Sequence, residues 1–169
     1  MFPNLLIVLA AAVIPLFVGF LYYNEKVLGK AWMKASEMTP EKIESAKGAK
    51  MFVIFGLTFL LSCMFALLLF SLVVHQTDLY SMVMNEPGFN QEGSAVMNDL
   101  NTWMNAYGTN FRTFKHGAFH GVVLVFFFAL PIIGINALFE RRSAKYVFIH
   151  LGYWTISLAL MGGVLCQWG

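Results

Sequence analysis

Charge is what this sequence has least of. Only 12% of its 169 residues are charged, while 59% are hydrophobic. A soluble domain usually carries about 25% charged residues, so this chain cannot cover a water-facing surface in the ordinary way. Cysteine is scarce as well: Cys63 and Cys166 both fall inside apolar runs and read as free buried thiols, not as a disulfide framework. There is no HExxH, no CxxC and no paired-carboxylate motif. A phosphate-cradling glycine loop, a nucleophile elbow and a dinucleotide fingerprint are equally missing. No residue set demands an enzyme, and nothing points to nucleic-acid binding. The expectation is therefore a protein that is not an enzyme. A basic n-region is lacking before Leu5, and the first apolar run outlasts the roughly 7–15 residues of a signal-peptide core. It reads as a retained membrane helix.

Long apolar runs are what the sequence has in quantity, with 17 Phe among them. A helix needs about 20 apolar residues to cross the hydrocarbon core. Four segments qualify: 5–23, 52–74, 118–139 and 146–168. In the third, twelve aliphatic and Phe residues between Val122 and Leu138 favour insertion by roughly 4–7 kcal/mol, which outweighs Asn136 and Pro131. The fold class that follows is an all-α polytopic membrane protein, one domain over residues 1–169.

Basic residues set the orientation. The connection after the first span holds Lys26, Lys30, Lys34, Lys42, Lys47 and Lys50, and that after the third holds Arg141, Arg142 and Lys145. The central loop holds only Arg112 and Lys115. Positive residues stay in the cytoplasm, so both termini are expected outside.

Two connections carry further pattern. Over residues 24–51, Val27, Leu28, Ala31, Trp32 and Ala35 form one helical stripe flanked by lysines, as in a helix at the membrane surface. Thr39-Pro40 reads as the cap and first position of another helix, running through Glu41 and Ile43 into the second span. In the outer loop, 75–116, Glu86-Pro87-Gly88 marks a turn. Beyond it Val96, Leu100, Trp103, Met104 and Tyr107 line one face of an amphipathic helix. Trp103, Met104, Tyr107 and Trp32 are candidates for docking on a partner or on the bilayer.

Candidate chemistry is confined to histidines and a few polar residues. His116 and His120 lie at i and i+4 on one helix face, as two imidazole ligands would, and His75 ends the second span on the same side. They could hold a metal or haem, although Arg112 and Lys115 nearby oppose a cation; alternatively they are interfacial histidines bonded to backbone, water or headgroups. His150 should lie one turn inside the fourth span, where an ionisable group needs a partner. Glu25 and Glu140 are candidates, with Asn136 as a further buried polar group, either as a structural pair or as part of a transport path. Pro15 and Pro131 sit mid-helix and should kink their spans. Gly117 and Gly121, and Ala159 and Gly163, have the spacing that lets helices approach closely, within one chain or between chains.

Several segments also carry a resemblance. They are Gly19-Phe-Leu-Tyr-Tyr23, Leu28-Gly-Lys-Ala-Trp-Met33, His120-Gly121, Asn136-Ala-Leu-Phe-Glu-Arg-Arg142, Gly152-Tyr153, and Met161-Gly162 before Trp168. Over residues 1–75 and 114–168 the chain resembles a family of small bacterial four-helix membrane proteins, domain of unknown function 1761. The resemblance implies a four-helix membrane fold with a short amphipathic element after the first span, in a bacterial inner membrane, and it brings no catalytic residues. The loop over about 77–113 looks like an insertion into that pattern. The expected role is a non-catalytic subunit or scaffold that oligomerises or packs against a larger membrane complex, with membrane lipids as neighbours. A small oligomeric transporter or channel, and a metal- or haem-binding protein, are the alternatives.

Overall fold

The computed structural model describes residues 3–45 and 47–169, and all regular structure among them is helical. Four helices are long and apolar enough to cross a membrane. They are α1 (Leu5–Tyr22), α4 (Ala49–Val73), α7 with α8 (Phe114–Leu124 and Leu130–Phe139), and α9 (Ala144–Trp168). Shorter helices fill the connections: α2 (Lys30–Ala35), α3 (Pro40–Ser45), α5 (Gln76–Val83) and α6 (Ala95–Tyr107). Nine of the eleven Lys and Arg residues lie on the connections at one end or in the first turn of the span that follows, here the basic end. The other is the loop end.

Local chemistry explains where helices start. Asn4, Thr39, Ser94, Thr113 and Ser143 each cap the helix that follows, their side-chain oxygens accepting from a backbone N–H of its first turn. Such caps satisfy donors that have no partner inside the helix. The Thr113 cap starts α7 at Phe114, four residues before the apolar run itself. The helix begun by Thr39-Pro40 does not continue into the second span. It stops at Ser45, and Gly48 turns the chain with φ of 70° before α4 begins.

The two prolines act differently. Pro15 lies inside a continuous α1. Pro131 has no N–H to give the carbonyl four residues back, and the preceding turn, Val125–Ala129, widens into a π-helical turn joining α7 to α8. A second π-helical turn, Glu25–Gly29, leads into α2. There the Gly29 N–H reaches back to Asn24 at 2.8 Å, and a side chain on Gly29 would collide with the Tyr23 carbonyl.

Helix α9 is the centre of the bundle and touches α1, α4 and α7. Its seam with α7 is built on glycine. A Cβ on Gly117 would strike the Gly162 carbonyl, and one on Gly121 would strike that of Leu158. The GxxxG pair is therefore used within the chain. In α9 it meets Gly162, one residue from the predicted Gly163, which packs on the Phe114 ring. The core lies toward the loop end, where Val8, Ala11, Leu69, Val73, Met161 and Leu165 are buried.

Helix α4 joins that core only through its second half. Ala66, Leu69, Phe70 and Val73 are buried, whereas Phe52 is 81% exposed and Val53, Leu57 and Leu60 are exposed with it. Between this free half and α1 with α9 runs a cleft of about 690 Å³, lined by Pro15, Gly19, Tyr23, Trp32, Phe55 and Tyr153 among others. A further space of about 260 Å³ shares Pro15, Thr58 and Tyr153 with it and extends toward Phe65 and Trp154.

Candidate functional site

The loop end gathers the three histidines. His75 sits where α4 breaks before α5, and Val74 there has left helical geometry with ψ of 87°. His116 is in the first turn of α7, its N–H bonded to the Thr113 hydroxyl at 3.3 Å. His120 follows one turn later. The His75 and His116 Nε2 atoms are 3.0 Å apart, and ligand nitrogens from all three lie within 4.8 Å of one another. The rings contact edge to face or tilted, with centroids 5.0, 5.1 and 4.5 Å apart. Phe111 and Phe119 close the sides of the cluster. His75 is exposed and the other two half-buried, so the group is open on the His75 side.

Four contacts that the sequence did not flag hold the entry to α7 in place. Gln76, nearly buried, donates its amide to the Asn110 carbonyl at 2.8 Å. The Cys166 thiol lies 3.2 Å from both the Phe111 and Val73 carbonyls and can donate to either. Arg112 donates to the Gly169 carbonyl. The Phe114 N–H donates to the Gln167 side chain at 3.1 Å. Phe111 adopts a left-handed conformation with φ of 62°. The backbone carrying His116 is thus pinned to α4, α5 and α9 together. A Gln or Cys beside an apolar run has no spacing that betrays such a role; only the tertiary contacts reveal it. Cys63, half-buried, and Cys166, buried, are both free thiols.

At the basic end the expected ion pair is absent. His150 does not meet Glu25 or Glu140; its Nδ1 lies 3.1 Å from the Tyr23 hydroxyl. Its Nε2 is buried with no hydrogen-bond partner among the described residues. Glu25, Glu140 and Asn136 are all exposed, so the predicted buried polar group is not assembled. A neutral phenol answers an imidazole near lipid at lower desolvation cost than a carboxylate would. Glu140 instead pairs with Arg142 at 3.4 Å, and Glu37 pairs with the same guanidinium at 3.0 Å. The Glu37 charge raises the Arg142 pKa.

Aromatic residues take the space the ion pair would have filled. The Tyr23 ring centroid is 5.2 Å from that of Trp32 and 5.2 Å from that of Tyr153, and Tyr146 meets His150 edge to face with centroids 4.4 Å apart. The Tyr153 hydroxyl donates to the Pro15 carbonyl at 3.1 Å. Trp32 is therefore folded back onto the bundle and half-buried. On α6 the predicted stripe divides: Leu100 is buried and Met104 half-buried, while Trp103 and Tyr107 are exposed with their rings tilted against each other, centroids 5.4 Å apart.

A family model described as "Protein of unknown function (DUF1761)" matches residues 6–166, and the chain belongs to that family. The matched range takes in the long loop as well as all four spans. No curated protein and no solved structure matches the chain.

Proposed function

We propose that this DUF1761 protein is a non-catalytic membrane subunit that associates with a second copy of itself through the outward face of α4. The single observation carrying the reading is the unpartnered first half of that helix. Gly56 has nothing within 4 Å of where its Cβ would stand. Around it Phe52, Val53, Leu57 and Leu60 stand exposed, a glycine hole rimmed by apolar knobs. Glycine in a helix costs about 1 kcal/mol relative to alanine, and in membranes it recurs where backbones approach closely. Gly117, Gly121 and Gly162 serve such an approach within the chain, whereas Gly56 has no partner there.

Nine basic residues at one end against two at the other favour an orientation with both termini outward, and the bacterial inner membrane is what the family resemblance implies. The transport alternative gains nothing from the geometry, since Asn136 is exposed and His150 is engaged by Tyr23.

The test is native mass spectrometry of the protein released from lipid nanodiscs over a range of protein-to-lipid ratios. A dimer that falls at least tenfold in population in Gly56→Leu supports the reading. A wild-type protein that remains monomeric at every ratio overturns it.

A further inference from the structure

We infer that His75, His116 and His120 form a binding site for one borderline transition-metal ion, of which Zn²⁺ is the natural occupant class, and that the ion clips the end of α4 to the start of α7. The inference is independent of the dimer proposed above, because all three ligands come from one chain.

The donor set selects the metal. Three imidazole nitrogens suit Zn²⁺, Co²⁺, Ni²⁺ or Cu²⁺. Calcium and magnesium need oxygen ligands, and no carboxylate joins the cluster. Zn–N bonds of about 2.0–2.1 Å at a tetrahedral angle put ligand nitrogens roughly 3.3 Å apart. The 3.0 Å between the His75 and His116 Nε2 atoms is already close to that bite, and all three donors fall within 4.8 Å. Small rotations of the rings bring them to one centre. A haem fits less well: its two axial imidazoles must stand on opposite faces of a flat macrocycle, whereas His75 and His116 meet nitrogen to nitrogen.

Three features make this more than a chance cluster. The i, i+4 pair is fixed on a capped helix. The third ligand arrives across 41 residues of chain, at a helix break held by Gln76, Cys166 and the α4 terminus. Exposure of His75 leaves a path from water and room for a solvent molecule as fourth ligand, the pattern of an open three-protein-ligand site. The cationic neighbours do not forbid it. The Arg112 guanidinium is turned to the Gly169 carbonyl, and Lys115 is exposed. Against these two stand four acidic residues on the same loop, Asp78, Glu86, Glu92 and Asp99, which leave the loop end net negative toward an approaching cation.

The experiment uses the full-length, untagged protein in detergent, stripped with chelator and titrated with Zn²⁺ by calorimetry and with Co²⁺ by visible absorption. The expected result is one ion per chain, with the intense bands of four-coordinate Co²⁺. Binding should weaken at least 100-fold in His116→Ala and in His75→Ala, and remain unchanged in His150→Ala. Circular dichroism verifies that each variant stays helical. If a variant loses its fold, the wild-type stoichiometry and Co²⁺ spectrum decide alone. No stoichiometric Zn²⁺ binding by the wild type, a weak octahedral Co²⁺ spectrum, or equal affinity in helical variants lacking a ligand overturns the inference.

Discussion

The two halves of α4 are equally apolar and end in different surroundings. Toward the loop end, Ala66, Leu69, Phe70 and Val73 are sealed against α9 and α1. Toward the basic end, Phe52, Val53, Leu57 and Leu60 face outward, and the inner side borders a cleft. In lipid, apolar surface gains little by leaving the solvent, so helix contact depends on close packing and hydrogen bonding. At the loop end the partner surface is small: Cys166 meets the Val73 carbonyl and Gly169 lies against the Phe70 ring, which lets α4 come near. At the basic end it is bulky, because Tyr153 and Trp154 stand between α9 and α4. Residue size on α9, more than hydrophobicity on α4, sets where the two helices meet.

The comparison breaks most violently where backbone already touches backbone. Gly117→Leu places a branched side chain against the Gly162 carbonyl and the Cys166 Cβ. Overpacking usually costs about 1–3 kcal/mol and more where no side chain can yield. The α7–α9 seam can relieve the clash only by separating, so a loss of about 3 kcal/mol or more is expected in a reversible detergent-unfolding measurement. Survival of full stability would mean that the seam is looser than its glycines imply.

A smaller gain should come from the loop end. If one ion joins His75 to His116 and His120, Zn²⁺ at 100 times its dissociation constant should add about 2.7 kcal/mol to stability. The rise in Tm should vanish in His120→Ala and persist in variants of the basic-end aromatics. An equal rise in both would place the metal elsewhere.

How much of this was legible in the sequence differs between the halves of the molecule for physical reasons. The four spans were legible because crossing a bilayer is a property of composition, and their starts were missed by a few residues where a helix begins before the apolar run, at the Thr113 and Ser143 caps and after the Gly48 turn. The His116–His120 pair followed from helical spacing, and His75 from its position at the same end. Helix α5 was not legible, since Gln76–Val83 has no clear apolar period and depends on the break at His75. The partner of His150 was misjudged because charge was weighed above aromatic hydroxyls, and Tyr23 was counted as part of an apolar run. Nor could the cleft be foreseen, because it arises from the size of Tyr153 and Trp154 across from α4 and not from any pattern within one helix.

The aromatic end admits a finer test. Tyr153→Phe removes the bond to the Pro15 carbonyl but keeps the ring that faces Gly19. A hydrogen bond between membrane helices is worth about 0.6 kcal/mol on average. Pro15 weakens α1 at this depth, and its carbonyl is the acceptor, so a loss of about 0.6–1 kcal/mol is expected. Tyr153→Ala should cost more, by taking away the ring that walls the cleft. Equal effects from the two changes would show that the hydroxyl, not the ring, holds α1 to α9.

The mildest change for the monomer is the most informative for assembly. Gly56→Leu fills open space, so the isolated chain should lose no stability, as for an exposed substitution without special contacts. Replacing glycine in a helix should add up to about 1 kcal/mol through propensity. The same substitution closes the hole between Phe52, Val53 and Leu60, and two α4 helices could then no longer approach to backbone distance. Folding and association should therefore separate in this one variant: an unfolding curve in detergent that is unchanged or shifted to higher stability, beside a collapsed dimer population in nanodiscs. If both stay as in the wild type, Gly56 faces only lipid. If both fall, α4 is packed within the chain more tightly than its open first half indicates.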